Sequence, residues 1–122
     1  MESESCPVGT LIPKEMEDFF VWYEINKNKV HPVILAAEMH ERIASIQPFI
    51  DGNGRTSRLI MNLILLQNGY VIANIKGDYD TQTKYYKALE TAQIKNNKED
   101  FILFIAQTEK ESLQHYISTI SQ

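Results

Sequence analysis

The sequence contains one cysteine, Cys6, so it carries no disulfide framework, and a reducing, cytoplasmic setting is expected. No apolar run is long enough for a bilayer. The longest, Leu59 to Leu66, is interrupted by Asn62 and falls far short of the roughly 20 residues that a spanning helix needs. Met1 to Ser5 is acidic, with neither a positive start nor an apolar stretch, so no signal peptide is expected. Basic charge is scarce as well: 12 Lys+Arg stand against 16 Asp+Glu, a net charge of −4. That balance argues against a general nucleic-acid binder and against a polybasic membrane protein. There are no repeats, no low-complexity stretches and no internal boundary. What is present, 122 residues with 43% hydrophobic and 23% charged, fits one globular domain over 1–122. Its core is expected over about 8–120, with 1–7 flexible. A chain of this length buries roughly two-thirds of its unfolded surface.

Periodicity predicts an all-α domain of five main helices around a buried central one. Residues 1–12 show no clear period and read as a lead-in or short extended piece. Pro13 suits the first position of a helix, and Met16, Phe19, Phe20 and Tyr23 follow the i, i+3, i+4, i+7 rule. His31-Pro32 opens a second helix that stops near Ile46, because Pro48 disfavours helical geometry at Gln47. A third helix runs from about Asn53 to Gln67, before Gly69. Its apolar residues cover every face, which predicts burial all round. Tyr70 to Ile75 reads as a short strand or extended loop. Thr81 to about Gln93 is a fourth helix, with Tyr85, Leu89 and Ala92 on one face. Glu99 to Ile120 is a fifth, with Ile102, Ile105, Leu113, Tyr116, Ile117 and Ile120 expected inside. Exposed Trp22 or Phe20 on the first helix would allow a homo-oligomer.

The segment Gln47-Pro48-Phe49-Ile50-Asp51-Gly52-Asn53-Gly54-Arg55-Thr56-Ser57-Arg58 is unlike the rest. Two glycines flank an Asn at a helix start, a setting in which several backbone N–H groups can point one way. The helix N-terminus adds partial positive charge, so an anion is the natural ligand. All three arginines of the chain (Arg42, Arg55 and Arg58) fall in one stretch, 42–58, that ends with this segment, while the lysines are scattered. Arg is suited to fork-shaped recognition of phosphate oxygens. Asp51 can supply a carboxylate to a phosphate-bridging Mg²⁺. Singly, each piece has a plainer reading: a turn with a cap, an N-cap carboxylate, two solvated arginines. Together they describe a di- or triphosphate–metal site. An EF-hand is excluded, because the twelfth residue from Asp51 is Asn62 rather than Glu. A P-loop is excluded because no Lys-Ser/Thr follows the glycines.

Pro48 to Arg58 resembles the signature of Fic domains (the Fic/Doc superfamily, protein AMP-transferases), His-x-Phe-x-Asp/Glu-Gly-Asn-Gly-Arg-x-x-Arg. The likeness extends to His31-Pro32-Val33 and Leu35 to His40 before the motif. After it come Leu59 to Asn62, Gly69-Tyr70, Tyr85 to Leu89 and Phe101 to Ala106, so that about 8–118 is covered. The resemblance implies a nucleotidyltransferase fold that passes AMP from ATP, with Mg²⁺, to a hydroxyl of a protein target. It implies that Phe49 packs into the core, that Asp51 binds Mg²⁺, and that Gly52, Asn53 and Gly54 form an anion hole. Arg55 and Arg58 would hold the outer phosphates, and Tyr85, Tyr86 and Gln93 would line the adenosine side.

Three departures matter. The family's general-base His is replaced by Gln47, whose amide can hydrogen-bond a hydroxyl but cannot carry a proton away. Loss of a general base typically costs roughly 10²–10⁴-fold in rate. No other histidine substitutes: His31 reads as an N-cap or surface residue and His115 as an outer-face residue. His40 lies about two turns, or roughly 10 Å, from Gln47 and reads as packed between helices. The β-hairpin flap on which such domains dock their targets is reduced to at most Val8 to Ile12. No Ser/Thr-x-x-x-Glu-Gly/Asn inhibitory pattern occurs. The expected function is therefore ATP–Mg²⁺ binding with AMP transfer lost or reduced. The alternatives are an active transferase in which Gln47 merely orients the hydroxyl, and a non-catalytic interaction or regulatory protein that keeps the fold.

Overall fold

Pro32, Pro48, Gly52 and Gly69 mark the limits of the two helices in the middle of the chain. The computed structural model describes residues 8–121, with side chains from residue 12 onward. Five helices occupy this span: α1 (Val8–Asn26), α2 (Pro32–Ile46), α3 (Asn53–Gln67), α4 (Tyr79–Ile94) and α5 (Glu99–Ile120). No strand occurs among the described residues. Pro32 sits at the first position of α2, and His31 caps it, its Nδ1 accepting from the Val33 N–H at 3.1 Å. Gln47 ends α2 in the left-handed region (φ 51°), outside the right-handed helical geometry that the following Pro48 disfavours. Asp78 caps α4 by accepting from the Thr81 N–H at 3.0 Å.

The N-terminal reading requires correction. α1 begins at Val8, so Pro13 lies inside it and cannot donate to the Gly9 carbonyl. Val8 to Ile12 is helical, not the end of an extended flap. Five residues ahead of a proline are too few to display a 3.6-residue period. The expectation for 1–7 lies outside the described residues.

The central helix is α2, not α3. Val33, Leu35, Ala36, Ala37, Met39, His40, Glu41 and Ile43 are all buried in it, and it packs on α1, α3, α4 and α5. In α3, Met61, Ile64 and Leu65 are buried, but Leu59, Leu63 and Leu66 are 60%, 48% and 52% exposed. α2 covers one side of α3, and no described element covers the other. The far end of α5 likewise projects past its neighbours. Phe101, Ile105, Thr108 and Glu109 are buried in its first half, while Tyr116, Ile117 and Ile120 are exposed. On α1, Phe19 is buried and Phe20 exposed. Trp22 is partly buried, with the Arg42 guanidinium over its ring at 4.3 Å.

The stretch 70–76 is an extended loop. Side chains take the place of a strand partner: Glu109 accepts from the Val71 N–H (3.1 Å), Asn62 from Ala73 (2.9 Å) and Ser112 from Asn74 (3.2 Å). These bonds link α3 to α5 through the loop. A second polar junction holds α5 to α2, where Lys98 lies 2.9 Å from Glu38 and 3.0 Å from Glu41.

Candidate functional site

The loop between α2 and α3 is closed by one side chain. Asn53 accepts from the Phe49 N–H at 3.0 Å and donates to the Phe49 carbonyl at 2.9 Å. This clasp corrects the expectation for Phe49. Its ring is 52% exposed, and the loop is held by its backbone rather than by a buried aromatic. Ile50 at the loop tip is fully exposed. Asp51 Oδ1 accepts from the Gly52 N–H at 2.8 Å, and the carboxylate is open to solvent.

Gly52 precedes α3 with φ +81°, a conformation that side chains disfavour. A Cβ there would also stand 3.1 Å from the Arg55 guanidinium, and one at Gly54 would stand 3.4 Å from that of Arg58. Each arginine therefore folds back against the backbone of a loop glycine. No side chain caps α3 and its first turn holds no acidic residue. The first intrahelical donor is Thr56, to the Gly52 carbonyl at 2.9 Å, so the N–H groups of Asn53, Gly54 and Arg55 are left for another acceptor. Among the described residues, neither Arg55 nor Arg58 pairs with a carboxylate. Two cations beside the positive end of a helix repel one another and the helix dipole. An anion seated there relieves both.

The described residues contain no cage of three or more metal-ligating side chains. Asp51 is the carboxylate of the loop, and a single exposed carboxylate could share a Mg²⁺ with phosphate oxygens and water.

The residues expected on the adenosine side divide. Tyr86 is 62% exposed on α4. Gln93 borders a polar cavity of about 280 Å³ together with Ser45 and Ile46, in the last turn before Gln47. Tyr85 is buried, and its hydroxyl shares a 2.7 Å hydrogen bond with His40 Nε2, so it stands behind the surface rather than on it. Burial pushes the Tyr85 hydroxyl up to about 12. Burial, aided by the positive charge of Arg58, pushes the His40 imidazole down to about 4. A neutral, enclosed His40 is no proton acceptor for a reaction at Gln47. The sequence placed His40 between helices; its tie to Tyr85 across 45 positions had no local signal.

The family model of the Fic/DOC family matches residues 4–65, half of the chain. The chain belongs to the Fic/DOC family. Among curated relatives of this Fic protein, the "Protein adenylyltransferase Fic" of Drosophila grimshawi is 39% identical over 103 residues, 84% of this chain and 21% of that protein. That of Drosophila virilis is 37% identical over the same share of this chain. The chain thus spans about a fifth of the length of these relatives. Two solved structures of Fic-1 from C. elegans superpose with TM-scores of 0.79 and 0.81 at 28% identity, over 90% of this chain and 33% of theirs. No helix among the described residues is long and apolar enough to cross a membrane.

Proposed function

We propose that this Fic protein binds ATP with Mg²⁺ at the Pro48–Arg58 loop, as a member of the adenylyltransferase type whose AMP transfer is lost or strongly slowed at Gln47. The observation that carries this reading is the uncapped start of α3, with Arg55 and Arg58 folded over it and no carboxylate partner among the described residues. Relatives named protein adenylyltransferase add the kind of chemistry, passage of an adenylyl group to a protein.

In this reading the N–H groups of Asn53, Gly54 and Arg55 receive phosphate oxygens, and the two guanidinium groups hold the outer phosphates. Asp51 would hold Mg²⁺, which neutralises phosphate charge when bound. Tyr86 and Gln93 face the base and ribose. Transfer forms a bond from the target's hydroxyl oxygen to the α-phosphorus and breaks the bond to the departing pyrophosphate. Its proton must leave as that bond forms. Gln47 can orient the hydroxyl, but its amide has no basicity near neutral pH to take the proton.

Calorimetric titration with ATP and Mg²⁺ tests binding, and self-labelling with radiolabelled ATP tests transfer. Arg58→Ala is expected to weaken binding at least tenfold, because a charge-assisted phosphate contact contributes roughly 1.5–3 kcal/mol. Gln47→His is expected to bind as the parent does and to acquire label. If neither the parent nor Gln47→His binds ATP, the motif is scaffold and the protein acts through a protein partner instead.

A further inference from the structure

The two halves of the proposed nucleotide site sit on different parts of the fold. The phosphate side is carried by the α2–α3 connection, and Tyr86 and Gln93 by α4. α4 packs chiefly on α5 and only lightly on α2. Among the described residues, one side-chain hydrogen bond joins α4 to the α2–α3 pair, the 2.7 Å contact between Tyr85 and His40 Nε2. Both partners are enclosed, at 5% and 0% exposure. Aromatic rings surround the contact: Phe101 lies 5.3 Å from the His40 ring and 6.1 Å from that of Tyr85, and Phe104 lies 5.9 Å from Tyr85. Tyr86 packs edge-on against Tyr85 at 4.9 Å, so the exposed ring takes its place from the buried one. Below, His40 lies two turns before Gln47 on the helix that delivers the motif.

We propose that His40 and Tyr85 are a positioning pair that fixes the separation between the phosphate loop and the base side of the nucleotide site, and so controls affinity for a whole nucleoside triphosphate rather than for its phosphates. The inference rests on the nucleotide-binding reading above. Neither residue touches the ligand. A hydrogen bond between two enclosed groups holds a distance more sharply than apolar contact, because lengthening it strands a polar atom in the core. With the tie cut, α4 remains anchored to α5 but is free to shift against α2. The loop, clasped by Asn53, keeps its own shape.

Tyr85→Phe removes the hydroxyl and preserves the ring's packing. Calorimetry with Mg–ATP and with Mg–tripolyphosphate reads the two halves separately. Affinity for ATP is expected to fall about five- to tenfold, the worth of one ordinary hydrogen bond, with tripolyphosphate affinity unchanged within about twofold. Amide hydrogen exchange should quicken in α4 relative to α3. The double variant His40→Leu, Tyr85→Phe replaces both polar partners. It should recover thermal stability while keeping the reduced ATP affinity, a split that a merely structural pair would not give. Equal losses for both ligands, or an unchanged ATP affinity, would overturn the positioning role. If the parent binds neither ligand, the nucleotide reading itself fails and the positioning role falls with it. If the parent binds and Tyr85→Phe matches it, the proposal alone fails.

Discussion

Burial decides what single residues can do here, and His40 is the sharpest case. The ring is fully enclosed and shifted from the ordinary 6.5 down to about 4. The folded protein therefore binds this proton less readily than the unfolded chain. The stability that depends on a neutral His40 is complete above about pH 6.5 and is lost as pH falls toward 4. Up to about 3 kcal/mol is at stake over that window. Two measurements check it: the ring-proton NMR titration of His40, expected to centre near 4, and urea unfolding at pH 7 and pH 4.5. A midpoint near 6.5 would mean that the ring is not enclosed. Gln47 is constrained differently. It adopts φ 51° at the end of α2, and histidine enters that left-handed region more readily than most residues. Gln47→His should therefore leave stability within about 0.5 kcal/mol of the parent, so that any gain in labelling reports chemistry and not folding.

At the scale of elements, α3 separates composition from environment. Met61 is fully buried and Leu63 is half exposed, although they are two positions apart in one apolar run. Met61→Ala is expected to cost about 2–4 kcal/mol, whereas Leu63→Gln should cost less than about 0.5 kcal/mol, both by urea denaturation. Comparable losses would place another element over the open face. The same contrast explains what the sequence disclosed. Pro32, Pro48 and Gly69 act through local backbone sterics, so the limits of α2 and α3 were legible to the residue. The covered face of α3, the bare end of α5 and the exposed ring of Phe49 were not, because each depends on which distant element packs there. Asn62 was visible as a polar break in an apolar run. Its use, receiving the Ala73 N–H, required the fold. The motif was legible because Gln47 to Arg58 is contiguous. The His40–Tyr85 tie was not, because tertiary packing alone makes it.

For the whole molecule, the proposed phosphate loop joins α2, the most buried helix, to α3, and the proposed base-side residues lie on α4. A ligand spanning them would bridge parts of the fold that otherwise share light packing and, among the described residues, one buried side-chain hydrogen bond. Such a ligand binds the native state alone, since the unfolded chain holds neither the loop nor the spacing. By mass action, ATP–Mg²⁺ at about 100 times its dissociation constant should add roughly 2.7 kcal/mol to stability. For a domain of this size that corresponds to a rise in Tm of roughly 10 °C. The rise should need Mg²⁺, shrink strongly in Arg58→Ala and persist in Gln47→His, because one substitution removes a phosphate contact and the other alters only the acceptor for the target's proton. Thermal unfolding monitored by circular dichroism, with and without nucleotide, checks all three at once. A Tm that ignores nucleotide in the parent and in Gln47→His would move the function of this Fic protein from the loop to its exposed surfaces, where Leu59, Leu63 and Leu66 form the largest apolar stripe on α3.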